Sequence, residues 1–467
     1  QTCALPIYAI IVSTLLGVIM MFCSWGIKSQ KIQHSIALVG MFVLILSNCA
    51  QLNGWWVLNF DTKGMLAFTR FGLFMNTLFF ILSFIYIGLN EQEMGKFSNQ
   101  ASDFYALLFF ILCGASILTS FDNLLMLFIG IEILSIPLYI LTGADKKNLF
   151  SNEASIKYFL MGSFSTGILL LGITFMYGAT GSFHLVAPVL KPSTGLAQEQ
   201  MILSAGLLLV FAAMNFKVSA APFHFWTPDV YDGAPTVFTS FMASIVKAAG
   251  FMAFMTVFQS QAKALGYTWE LILNFVIMAT LLVGNITAVF QRSVKRMLAY
   301  SSIAQVGFML FALYGKSDFA QEGIVLYVVV YSLATLGIFG LLVKMKENSF
   351  EAFNGLAKKH PLLAFVTTVF LFSLAGIPLT GGFFAKYYML NALYLAGAGL
   401  WLIIIAILCA AISVYYYFKL VQAMYFVEGE PAINEVPKKN TYILLTIAIL
   451  LLILGIFPSL LFNYLYF

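Results

Sequence analysis

The sequence predicts an all-α polytopic membrane protein of about fourteen transmembrane helices. Composition is the first observation behind that reading. The 467 residues are 61% hydrophobic and only 9% charged, with a mean hydropathy of +0.95, whereas soluble domains carry about 25% charged residues. Spacing is the second: apolar stretches recur roughly every 25 to 35 residues, and many reach the ~20 residues that cross ~30 Å of hydrocarbon as a helix. The third is an uneven distribution of basic residues between alternate loops, described below. The content of 47 Phe and 22 Tyr suits lipid-facing and interfacial surfaces.

The elements follow in order. Spans are expected near 8–27, 32–51 and 65–90. The next stretch, 104–143, overshoots any bilayer as one helix, so Asp122-Asn123 is read as a break between spans 104–120 and 121–143. Spans 154–178, 200–221, 236–258, 269–290, 296–313, 321–345, 361–391, 398–426 and 441–461 complete the set. The chain starts at Gln1, and QTCALPI is also what a common sequencing-adapter stretch would encode. The expectation is that residues 1–8 are not native and that the true start is missing. The first apolar stretch then reads as a span, not a cleavable signal.

With the N-terminus outside, the inside loops hold Lys28, Lys31, Lys96, Lys146, Lys147, Arg292, Lys295, Arg296, Lys344, Lys346, Lys358, Lys359, Lys438 and Lys439. The outside loops hold only Lys63, Lys191, Lys263 and Lys316. This positive-inside bias supports a periplasmic N-terminus and an even number of spans.

Two segments read as broken helices. The seventh continues as NFKVSAAPFHFWTPDVYDGAP, with Pro222, Pro228 and Pro235; the twelfth contains SLAGIPLTGGFFAKYY, with Gly376, Pro378, Gly381 and Gly382. Proline removes a backbone donor, which membranes tolerate only where protein or a wet cavity satisfies the freed groups. The breaks lie five spans apart, as in transporters built from inverted repeats. The expected division is therefore an N-terminal three-helix segment (1–103), two five-helix repeats (104–258 and 259–426) and a last helix (427–467).

Charges inside apolar stretches carry the functional reading, because each costs about 2.5–3.5 kcal/mol to insert at the bilayer centre. Glu132 (FIGIEILSIP) and Lys157 (EASIKYFL) lie on consecutive helices and can form an intramembrane ion pair, either working or static. Lys217 adjoins the first break; desolvated there, it can lose its proton at modest cost, and a nearby carboxylate opposes the loss. Snorkelling to the interface is its bland alternative. Lys247 sits deep in FMASIVKAAGFMAF, where it is read as a relay or as a donor to a buried carbonyl. Lys386, past Pro378, is the second break's counterpart of Lys217. His224 can relay protons or bond a freed carbonyl. Lys295 and Arg296 read as an interfacial anchor, and Lys344, Lys346, Lys358 and Lys359 as a solvated face.

Other classes are disfavoured. The net charge of +5 is not clustered into a nucleic-acid surface, and the five cysteines stand apart with no CxxC, so no cluster or structural zinc is implied. No flavin or nicotinamide motif occurs, and no cofactor is expected in this chain.

EILSIPLYIL, EASIKYFLMGS, FKVSAAPFHFWTPDVYDGAPT, VKRMLAYSSIAQVGF and GIPLTGGFFAKYYML together resemble the antiporter-like subunit N family of respiratory complex I, the proton-translocating NADH–quinone oxidoreductase. The resemblance spans about residues 9–460. It implies fourteen helices, two inverted five-helix repeats and discontinuous helices 7 and 12. It places the family's helix-5 glutamate on Glu132, its helix-6 lysine on Lys157, its central lysines on Lys217 and Lys247 and its helix-12 lysine on Lys386. That lysine separates the family from a sister subunit with glutamate there. Gln305 departs from the histidine many relatives carry, and glutamine cannot titrate. The implied function is proton movement from cytoplasm to periplasm in a bacterial inner membrane, coupled to quinone reduction in partner subunits. Implied partners are sister antiporter-like and small quinone-side subunits, lipid, protons and internal water. A subunit of a multisubunit cation–proton antiporter, or an inert scaffold, is the alternative.

Overall fold

The computed structural model describes residues 7–55, 61–98, 101–185, 197–261, 265–314 and 318–463. Most of the suspected non-native start, and the loop lysines Lys191, Lys263 and Lys316, lie outside the described residues. The helices are α1 (Tyr8–Gly26), α2 (Gln30–Leu52), α3 (Arg70–Leu89), α4 (Ala101–Leu118), α5 (Leu124–Thr142), α6 (Leu149–Thr180) and α7 (Ala197–Val218). They continue as α8 (Thr236–Gln259), α9 (Tyr267–Val289), α10 (Val294–Leu313), α11 (Asp318–Leu342), α13 (Leu400–Phe426) and α14 (Lys438–Ile456). Between α11 and α13 lies α12, in two pieces, Pro361–Ala375 and Gly381–Leu395. Thirteen helices among the described residues are long and apolar enough to cross a membrane, and α12 adds the fourteenth span as two short pieces. Only isolated bridges, and no extended sheet, occur among the described residues.

Local chemistry sets the boundaries. Asn123 accepts a bond from Leu125 N at 2.8 Å, so α5 starts afresh where the sequence reading placed the break. Thr69 accepts from Gly72 N at 3.0 Å and Leu66 pairs with Phe121; α3 therefore starts at Arg70, not near 65. Asn148 caps α6 at Phe150 N, 3.0 Å away, which begins that helix five residues earlier than expected. At 32 residues, α6 is about 48 Å long.

Both expected breaks are present. α7 ends at Val218, Ser219 has φ +70°, and helix resumes as the short segment Trp226–Gly233. Pro228 lies in the first turn of that segment, where proline is tolerated; the interruption belongs to residues 219–225. Thr280 Oγ1 accepts from Ala221 N at 3.0 Å, satisfying one freed donor. In α12, Gly376 takes φ +82° after Ala375, a left-handed stop that glycine adopts without strain.

Backbone packing divides the chain into two compact units, residues up to 218 with 245–269, and residues 219–244 with those from 270 onward. In the first, glycines let helices approach closely: a Cβ on Gly114 would lie 2.7 Å from Leu134 N, and one on Gly172 2.9 Å from Gly206 O. In the second, α11 is buried along its length, and Gly337 lies directly against the Phe370 ring.

Candidate functional site

In the first unit, α5 places Glu132, Ser135 and Tyr139 at i, i+3 and i+7, hence on one helical face. Lys217, one residue before the end of α7, reaches that face and donates to Ser135 Oγ at 2.7 Å. Ser135 in turn donates to Ile131 O at 2.5 Å. Glu132 itself is half-buried on that face. Beside the lysine lies a cavity of about 20 Å³, lined in part by Tyr139, Tyr158, Ser165 and Thr166. That volume holds about one water, and its polar walls can bond it. The Tyr139 and Tyr158 rings meet edge to face at 4.9 Å.

Gly250 of α8 gives the Lys217 stem its room, since a Cβ there would lie 3.3 Å from Lys217 Cγ. Lys247, 3% exposed, is three residues earlier and so lies on the same side of α8. It follows a π-helical turn, Met242–Val246, a distortion found mostly as single turns and often at functional sites. Lys157 forms an ion pair with Glu153, 2.8 Å away and one turn earlier on the same helix, both side chains being about half exposed. The spacing EASIK held that signal.

In the second unit, Lys386 is buried and donates to Ala375 O at 2.8 Å. Ala375 ends the first half of α12, so the ammonium sits at the negative end of a half-helix. Its Nζ is 5.0 Å from the centre of the Phe308 ring. The neighbouring carbonyl, Leu374 O, accepts from Gln305 Nε2 at 2.9 Å. Gln305 also donates to Tyr417 OH at 3.2 Å and accepts from Tyr327 OH. A cavity of about 10 Å³ touches Gln305, Tyr327, Tyr331, Ser373 and Lys386.

His224 is buried, with its ring 4.5 Å from that of Phe225. Its Nδ1 has no hydrogen-bond partner among the described residues. Lys295 is a correction. The expected anchor is 2% exposed and donates to Asp232 O at 3.0 Å and Ala234 O at 2.5 Å, at the end of the short helix. Arg296 Nη2 lies 2.9 Å from Asp229. Lys344 is likewise buried, at 3% exposure, not solvated. Lys358 and Lys359 do lie at the surface, paired with Glu428 and Glu430, each at 2.9 Å.

Residues 122–413 match the family described as NADH:quinone oxidoreductase/Mrp antiporter, TM, more than half of the chain. The chain belongs to that family. A relative named NADH-quinone oxidoreductase subunit N, from Cytophaga hutchinsonii, is 40% identical over 463 residues, covering 97% of this chain and 98% of that one. Another of that name, from Trichlorobacter lovleyi, is 34% identical over 97% of this chain and 94% of its own length. A chain of respiratory complex I from Thermus thermophilus superposes with a TM-score of 0.83 at 29% identity, covering 97% and 98%. One from the Mrp complex of Dietzia sp. DQ12-45-1b reaches 0.84 at 16% identity over 98% and 96%, a likeness of fold. In this family member the position expected to carry histidine holds Gln305, and the structure shows its work: it ties a broken-helix carbonyl to two tyrosines. Sequence reading missed Ser135 and the tyrosines. The i+3 spacing from Glu132 pointed to Ser135, but its meeting with Lys217, 82 residues on, had no sequence signal.

Proposed function

We propose that this chain is the proton-translocating subunit N of a bacterial NADH–quinone oxidoreductase. It moves protons from cytoplasm to periplasm, with its N-terminus periplasmic. Glu132, Lys157, Lys217, His224, Lys247 and Lys386 form the relay, and quinone reduction in partner subunits drives it. The chain itself does no redox chemistry and carries no cofactor; it contributes to the enzyme as a translocase. The two five-helix repeats, 104–258 and 259–426, belong to the same reading. The named relatives, at up to 40% identity over nearly the whole chain, support it.

The observation that carries it is the contact of Lys217 with Ser135 on the Glu132 face, beside a water-sized polar cavity. Ser135 donates its own proton to Ile131 O, and its oxygen can accept an N–H from an ammonium or from a neutral amine alike. The contact therefore survives both protonation states, as a proton carrier requires. Moving the carboxylate charge relative to the lysine changes the cost of holding the proton. The relay acts as one titrating set, so its members exchange protons together.

Lys217→Ala in the assembled complex, in sealed vesicles, is the test. Proton pumping falls while assembly is retained. Unchanged pumping and NADH–quinone turnover would remove Lys217 from the path.

A further inference from the structure

The turn joining α1 and α2 carries a second constellation, away from the lysine relay. Gln33 donates to Ile27 O at 2.6 Å and so holds that turn in place. Lys28 and Lys31 flank it, both exposed, and neither side chain pairs with a described residue. Trp25 at the end of α1 is 83% exposed and packs edge to face on Phe22 at 5.8 Å. Unpaired lysines next to an exposed tryptophan are the signature of a headgroup level.

From Lys31 an open groove of about 480 Å³ runs along α2 to Val43, walled by Leu16 and Ile19 of α1. Its α2 wall is one helical stripe, Lys31, Ser35, Val39 and Val43, each a turn apart. Gly40 forms part of its floor; a Cβ there would lie 2.9 Å from Leu16. Twelve residues from Lys31 to Val43 span about 18 Å, close to half of the ~30 Å hydrocarbon thickness. The groove thus begins at two ammonium groups and ends after one leaflet's depth of apolar wall. We propose that it is a binding site for one anionic phospholipid, with the phosphate at Lys28 and Lys31 and an acyl chain along Val39 and Val43. Charge and length together select this occupant: a partner helix crossing the membrane would need no phosphate-level cation pair and would not stop at one leaflet.

The test uses the assembled complex in phosphatidylcholine vesicles containing a trace of phosphatidylglycerol with a photoreactive acyl chain. Label is expected on peptides covering residues 16–43, competed by excess phosphatidylglycerol and not by phosphatidylcholine. Lys28→Ala with Lys31→Ala weakens labelling roughly 30-fold, two basic side chains' worth of attraction. Arginine at both positions preserves it. Val39→Trp removes the label with the lysines intact. Equal labelling by a phosphatidylcholine probe, or undiminished labelling in both the alanine and tryptophan variants, would overturn the proposal. So would efficient cross-linking of Val39→Cys to a partner subunit in native membranes, which would make the groove a protein interface. Wild-type competition decides the matter even where a variant fails to assemble, and none of its outcomes depends on pumping.

Discussion

Lys217 and Lys386 each lie near a helix break, the first just before one and the second in the half-helix after the other, and they are held in different ways. Lys217 meets a side-chain hydroxyl, Ser135, on another helix. Lys386 meets a backbone carbonyl, Ala375 O, at the end of the half-helix that precedes its own. Either oxygen can accept an N–H from an ammonium or from a neutral amine, but the hydroxyl belongs to a side chain and the carbonyl to the backbone. The first partner can shift with its side chain, and the second is fixed by the half-helix that carries it. The same habit recurs elsewhere in the second unit, where Gln305 covers Leu374 O and Lys295 covers Asp232 O and Ala234 O. There, long polar side chains serve as caps for carbonyls that broken helices leave open.

Substitutions at four positions separate the two settings. Gly382→Ala has the largest effect, because its Cβ would collide with Ser373 O, a backbone atom of the other half of α12. It costs about 3 kcal/mol or more, read as loss of assembled complex on native gels. Lys386→Met leaves Ala375 O buried without its donor and costs about 1–3 kcal/mol, read as a lower Tm; pumping falls with it. Ser135→Ala removes a partner of Lys217 at a cost nearer 1 kcal/mol. It slows pumping more than it lowers Tm, whereas Lys386→Met does both; equal patterns in the two variants would erase the distinction. Glu428→Gln is the smallest. The Lys358 hydrogen bond holds the Glu428 carboxyl below its usual value, but the pair is fully at the surface, where such bridges contribute little. Tm and turnover stay unchanged.

Much of the fold was legible because a bilayer asks one question of every segment, and apolar runs of one length answer it. The breaks were legible because proline and glycine leave few alternatives. Asp122-Asn123 marked a helix junction for the same kind of reason: Asn123 can cap a new helix and an apolar residue cannot. Misreadings cluster where loops fold over helix ends. Lys295 looks like an interfacial anchor in sequence and Lys344 like part of a solvated face, since nothing there says that carbonyls of residues 232 and 234 will close over Lys295. The π turn before Lys247 and the partner of Lys217 also come from tertiary packing. Lys157 is the opposite case, as Glu153, one carboxylate it pairs with, was four residues away. Burial leaves its mark outside the spans too: it raises the Asp122 carboxyl above its usual value, and His184 works against it.

In the proposed relay Lys217 must give up its proton as well as carry charge. Lys217→Arg separates the two, because arginine keeps the positive charge and does not deprotonate in proteins. The measurement is protons moved per NADH oxidised by the assembled complex in sealed vesicles. The arginine variant is expected to assemble and to pump less, as the alanine variant does. Pumping restored to the wild-type ratio by arginine would show that the charge alone suffices and would contradict that expectation.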